Sequence, residues 1–144
     1  MKIIWTPIGL PRDRESIIAH PKVAFTDERG DITNILDGVD IRHIAFITSK
    51  PFTVRGNHFH EWQQQYIYIL RGEMLTYSCH KNSPHTIHIL RADAGDLLYC
   101  PPNVAHAYQA LSQGCEFLNI DDDVRNPDTY AEDTTPFKVE FSRR

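Results

Sequence analysis

The sequence predicts an all-β domain, an antiparallel sandwich or barrel of jelly-roll type, on three observations. Runs rich in Val, Ile, Thr, Tyr and Phe recur roughly every eight to twelve residues. Gly, Pro, Asn and Asp stand between them, and no long stretch carries the apolar period of an amphipathic helix. Third, the stretch from Arg55 to Gly72, RGNHFHEWQQQYIYILRG, reads as two strands joined by a short loop. On an extended strand His58 and His60 point to one face and Phe59 to the other.

Residues 1–22 carry prolines at 7, 11 and 21 with mixed charge and read as an arm laid against a body, residues 23–144, that forms a single domain. Asp27-Glu28-Arg29-Gly30 is a turn, Asp31 to Leu36 resumes an extended pattern, and together they predict a hairpin. Ile41 to Thr48 is a β-rich run stopped by Ser49-Lys50-Pro51. Beyond Gly72 the expected strands are Glu73–His80, His85–Arg91, Leu97–Cys100, His106–Leu111 and Cys115–Ile120. Asp121-Asp122-Asp123 lacks the spacing and terminal Glu of an EF-hand and reads as a solvated turn. The remainder of the chain is expected to pack as irregular structure.

With 144 residues, 41% of them hydrophobic, the chain can bury one core. Its net charge of −4, with no Lys/Arg cluster, argues against nucleic acid as a partner. Cys79, Cys100 and Cys115 are odd in number and lack Cys-x-x-Cys spacing, so buried reduced thiols in a cytoplasm are expected. The first residues hold only a brief apolar run, broken by Pro7 and Pro11, and no apolar stretch is long enough to span a membrane. The arm and the aromatic strand Tyr66–Leu70 are candidates to cover open sheet edges in a homodimer.

Two motifs carry the chemistry. The first is His58-x-His60-x4-Gln65-x6-Gly72 and the second Gly95-x5-Pro101-x-Asn103-x2-His106. This pair resembles the two motifs of the cupin superfamily, whose fold is an antiparallel jelly-roll β-barrel. The departures are Gln65 where many metal-binding cupins have Glu, Phe52 in place of a leading Gly, and Asn103 and Ala110 where Gly and Asn are usual. Asn103 is mild, because Asn tolerates a left-handed backbone. Within the superfamily, Val54 to His60 and Pro102 to Ser112 resemble the nucleotide-sugar branch, which includes dTDP-4-dehydrorhamnose 3,5-epimerases and dTDP-4-keto-6-deoxyglucose 3,4-ketoisomerases. The resemblance implies a sugar-nucleotide substrate in deoxysugar or surface-polysaccharide biosynthesis, with Arg55 gripping a diphosphate and Tyr108 in the substrate site.

The same residues can be read from their chemistry. Shifting a stereocentre or a carbonyl beside a ketone requires removal of an α-proton, and neutral imidazole, with a reference pKa of about 6.5, suits that task. His58 is the expected base, and His60, on the same face, the expected second proton carrier. Arg55 lies three residues before His58, so it shares that face only if Gly56-Asn57 bends or bulges the strand. Family epimerases carry a tyrosine acid just after the strand corresponding to Cys115–Leu118; this chain has Asn119-Ile120-Asp121-Asp122-Asp123, and its next tyrosine is Tyr130. A ketoisomerase-like shuttle by His58 and His60 therefore fits at least as well. The competing reading is a metal-dependent cupin, a dioxygenase or metal-assisted isomerase, in which His58, His60, Gln65 and His106 hold Zn²⁺, Fe²⁺, Ni²⁺ or Mn²⁺. A non-catalytic sugar-binding cupin is the third.

Overall fold

The computed structural model describes residues 16–122 and 133–140, and the secondary structure is β throughout apart from one short 3₁₀ turn. The strands are β1 (Ile17–Ala19), β2 (Val23–Asp27), β3 (Gly30–Thr33), β4 (His43–Ser49), β5 (Val54–Phe59), β6 (Gln65–His80), β7 (His88–Asp93), β8 (Leu97–Cys100), β9 (Val104–Asp121) and β10 (Thr135–Pro136). β2 and β3 form a separate hairpin, and the other strands belong to one antiparallel system. Most of the predicted arm, residues 1–15, lies outside the described residues; its described part contributes β1, which pairs with β8.

β6 and β9 organise the molecule. The sequence predicts four strands where these two run, with divisions at Gly72 and between Leu111 and Cys115. Instead the chain bends at Gly72 and Gly114 and the ladder continues, with register shifts around Gly72. Gly72 has φ +83°, and a Cβ there would lie 2.0 Å from the Gly114 carbonyl oxygen, so only glycine lets the two strands approach at the corner. Each long strand thereby serves two half-sheets. In the first, β7, the later part of β6, the early part of β9, β5 and β10 are neighbours. In the second the order is β1, β8, the early part of β6, the late part of β9, and β4.

The inner faces of both halves meet in one core containing Ile67, Ile69, Met74, Leu98, Tyr108 and Phe117. Ile67, Ile69, Leu98 and Phe117 are at most 2% exposed, and each contributes roughly 1.5–3 kcal/mol through removal from water. Outer faces are covered too. Phe137 and Val139 pack over Phe59, Tyr77 and Ala107 on the first half. Ile35, Leu36 and Val39 pack over Tyr66, Tyr99 and Ile120 on the second.

Three further expectations change. β3 stops at Thr33, because the following residues leave the hairpin to cover the second outer face. β7 starts at His88, since the preceding residues are spent on a turn closed by a Thr86 N–H donating to the Ser83 carbonyl. Asp121 is not part of a solvated turn: it ends β9, is 1% exposed and pairs with His43. Asp123 lies outside the described residues.

Candidate functional site

The site starts from a bulge. Gly56 and Asn57 have φ of 92° and 58°, and the β5–β9 register slips between Gly56 and His58. Arg55 pairs with Tyr108 and His58 with His106, so the bulge restores Arg55 to the face of His58 that strict alternation would deny it. A Cβ on Gly56 would come within 2.7 Å of the His106 carbonyl oxygen, so this glycine also permits β5 to close on β9. Asn57 holds the bulge in place: its backbone carbonyl accepts from Phe137 N–H at 2.8 Å and its Oδ1 from Val139 N–H at 3.0 Å.

Three imidazoles converge inside the barrel. Ring centroids are 4.8 Å apart for His58 and His60, 4.8 Å for His58 and His106, and 5.5 Å for His60 and His106. One ring nitrogen from each lies within 4.8 Å of the others. His60 Nδ1 is 2.8 Å from the Asp133 carbonyl oxygen, and His106 Nδ1 is 3.1 Å from that of Val104. A carbonyl only accepts, so both Nδ1 atoms carry a proton. His106 is fully buried, and burial first, then the neighbouring His58 and His60, push its pKa well below the ordinary histidine value. It is therefore neutral at physiological pH.

The other expected residues are distributed differently. Arg55 is exposed and anchored on β4, donating from Nε to Ser49 Oγ at 2.9 Å and from Nη2 to the Thr48 carbonyl at 2.8 Å. Tyr108, expected in the substrate site, is buried: its hydroxyl meets Cys100 Sγ at 3.4 Å and its ring stacks on His106 at 5.1 Å. Its ring thereby backs the imidazole of His106. Gln65 is 6% exposed, donates from Nε2 to Asn119 Oδ1, and leaves Oε1 buried without a hydrogen-bond partner. His106 Nε2 is likewise buried without one. The orphaned His106 Nε2 beside two further imidazoles fits a divalent transition metal, and the orphaned Gln65 carbonyl oxygen is of a type that such an ion accepts as a ligand. Tyr130 lies outside the described residues.

Sequence reading missed the group that fixes His60. Asp133 accepts three backbone N–H groups, from Glu61 at 2.8 Å, Trp62 at 3.3 Å and Gln63 at 3.1 Å, while its carbonyl takes the His60 proton. Thirteen residues beyond Ile120 in the chain, it carries no local signal of that contact. Asn57 had one, since Asn after Gly marks a left-handed position.

A model of the cupin domain family matches residues 45–121. No curated protein sequence matches the chain significantly. Similar solved structures include a sugar 3,4-ketoisomerase from Thermoanaerobacterium thermosaccharolyticum in complex with TDP, 20% identical, TM-score 0.66, covering 84% of this chain and 87% of that one. A 3,4-ketoisomerase from Helicobacter canadensis is 18% identical with TM-score 0.70 over 85% of this chain and 90% of that one. The rmlC epimerase of Mycobacterium tuberculosis is 19% identical with TM-score 0.66 over 83% of this chain and 68% of that one. At such identities the likeness is one of fold. With the family model spanning more than half of its length, the chain belongs to the cupin family.

Proposed function

We propose that this cupin is a sugar-nucleotide isomerase or epimerase that moves a proton beside a 4-keto group, with ketoisomerisation the favoured outcome. The observation that carries the reading is the convergence of three imidazoles, with ring centroids 4.8–5.5 Å apart, on a face that also bears Arg55. His58, half-buried on β5, is assigned as the base that takes the α-proton. His60, whose Nδ1 donates to a backbone carbonyl and whose ring centroid lies 4.8 Å from that of His58, is assigned as second proton carrier. Arg55 is assigned to the diphosphate: a guanidinium resting on a serine hydroxyl and a carbonyl can exchange those neutral partners for an anion, a stronger acceptor. The fold likeness to two sugar 3,4-ketoisomerases supports this substrate class.

One observation favours a second reading. The unpartnered His106 Nε2 and Gln65 Oε1 suit a bound divalent ion held by His58, His60, His106 and Gln65. Such an ion would supply Lewis acidity toward a carbonyl oxygen. An imidazole ligating through its lone pair cannot use that nitrogen as a base, so the two readings divide cleanly.

Two finer proposals accompany the function. A homodimer is supported by Val23, Phe25 and Ile32 on the β2–β3 hairpin and Ile44 and Phe46 on β4, all more than half exposed. A cytoplasmic location is supported by three free cysteines; among the described residues no helix is long and apolar enough to cross a membrane. The test of function is deuterium wash-in from solvent with a panel of nucleotide-linked 4-keto sugars. Incorporation beside the carbonyl of at least one is expected; none across the panel would reject the enzyme reading in favour of a binding protein.

A further inference from the structure

We propose that Phe52 is the platform on which the base of the nucleotide sugar stacks, one short turn away from the guanidinium that holds the diphosphate. This rests on the proposed function, which assigns Arg55 to that diphosphate. Phe52 has a backbone conformation unusual for its type. The Thr53 N–H donates to the Lys50 carbonyl at 3.1 Å, closing a turn in which Pro51 is second and Phe52 third. Phe52 has a φ of 62° there. The third position of a turn with positive φ ordinarily belongs to Gly or Asn, because a Cβ in that conformation crowds the following carbonyl oxygen.

The fold holds this turn firmly. The Phe52 N–H donates to the Ala110 carbonyl at 2.9 Å, the Ala110 N–H donates to the Thr53 carbonyl at 3.1 Å, and the Thr53 hydroxyl donates to the Lys50 carbonyl at 2.6 Å. These bonds lay the turn against β9, and a glycine at position 52 would make the backbone ones equally well. A large side chain in a strained position is ordinarily stabilised by burial. Phe52 is 60% exposed, so packing within the protomer offsets little of the strain. Strained residues cluster where ligands bind, and an exposed aromatic ring offers a flat apolar face to a flat partner.

The neighbours of Phe52 select the partner. Arg55 reaches back past the turn, its Nε 2.9 Å from Ser49 Oγ and its Nη2 2.8 Å from the Thr48 carbonyl oxygen. The guanidinium therefore bridges the segments that lead into and out of the Lys50–Thr53 turn. Phe52 is three residues from both Ser49 and Arg55, so its Cα lies within about 11 Å of either Cα. Lys50, exposed in the same turn, adds a second positive charge. Two cations beside an exposed aromatic ring match a nucleoside diphosphate, whose anionic groups take the guanidinium while the base, one ribose away, presents a π-face. The order along the chain, Phe52, Arg55, His58, follows base, diphosphate, sugar.

The experiment titrates the full chain with dTDP and, separately, with inorganic pyrophosphate, and follows binding by calorimetry. Phe52→Gly is expected to weaken dTDP about tenfold and to leave pyrophosphate within about twofold of wild type. Arg55→Ala should weaken both, and Phe52→Tyr, which keeps an aromatic face, should bind dTDP within about twofold of wild type. Because glycine takes a positive φ without strain, the urea midpoint of Phe52→Gly should not fall below that of wild type. Three results would each overturn the inference alone. One is unchanged dTDP binding by Phe52→Gly; another is an equal loss of pyrophosphate, which would mean that the turn acts only through Arg55. The third is a lowered urea midpoint, or dissociation of an oligomer by light scattering, which would make the ring a packing or partner contact. No binding of dTDP by wild type would overturn the proposed substrate class and this inference together.

Discussion

The two half-sheets are built from the same two long strands, yet they present their inner polar groups differently. In the first half, His60 and His106 give their Nδ1 protons to backbone carbonyls, and the Nε2 of His106 is buried without a hydrogen-bond partner. In the second half, side chains are matched to side chains, Gln65 with Asn119 and His43 with Asp121. Backbone partners set a tautomer and add no charge, whereas side-chain partners tie neighbouring strands together through the groups themselves. A single fold can therefore hold one wall of histidines oriented by the backbone and another of side chains paired with each other.

The strongest way to break this comparison is at the corner the halves share. Gly72→Ala places a methyl group 2.0 Å from the Gly114 carbonyl oxygen at a φ of +83°. It should cost about 4 kcal/mol or more, seen as a large drop in the urea midpoint or as failure to fold. Gly56→Ala touches only the first half, where the added Cβ would sit 2.7 Å from the His106 carbonyl oxygen. A loss of roughly 1–3 kcal/mol is expected, with turnover falling further than stability explains. If both variants melt like wild type, the glycines do not carry the architecture.

A smaller change separates His60 from the rest. Asp133→Ala leaves three loop N–H groups without their acceptor, which should destabilise by roughly 1–3 kcal/mol. It should also lower kcat while deuterium exchange by the remaining imidazoles persists at a reduced rate. Stability unchanged by calorimetry would mean that water replaces the carboxylate without cost. The smallest effect is at alkaline pH. Burial raises the Cys100 and Cys115 thiols from 9.0 to about 11. The unfolded chain then releases these protons first, so their contribution is whole below pH 9 and is lost as pH rises toward 11. Urea midpoints measured along that range should fall less steeply for Cys100→Ala.

What the sequence made legible follows from range. The imidazole pair, the second-motif histidine and the left-handed Asn103, whose φ is 67°, are local features of residue type and spacing. Phe52, standing where the motif usually has glycine, adopts a φ of 62°, a conformation that glycine would take without strain. Arg55 could be placed only conditionally, because a bulge of one residue inverts every side chain after it. Asp121 and Asp133 were opaque. Three consecutive acids look solvated until a histidine 78 residues earlier in the chain is brought across the sheet. Strand lengths failed for the opposite reason: glycines that usually end strands here bend them.

The most direct measurement of the central claim is deuterium wash-in by wild type and His58→Asn, each before and after exhaustive chelation. If His58 is the base, wild type keeps its exchange rate after chelation and His58→Asn loses about 10²-fold or more in either state. Wild-type exchange that vanishes on chelation and returns with one particular divalent ion would contradict the account and move His58 from base to ligand.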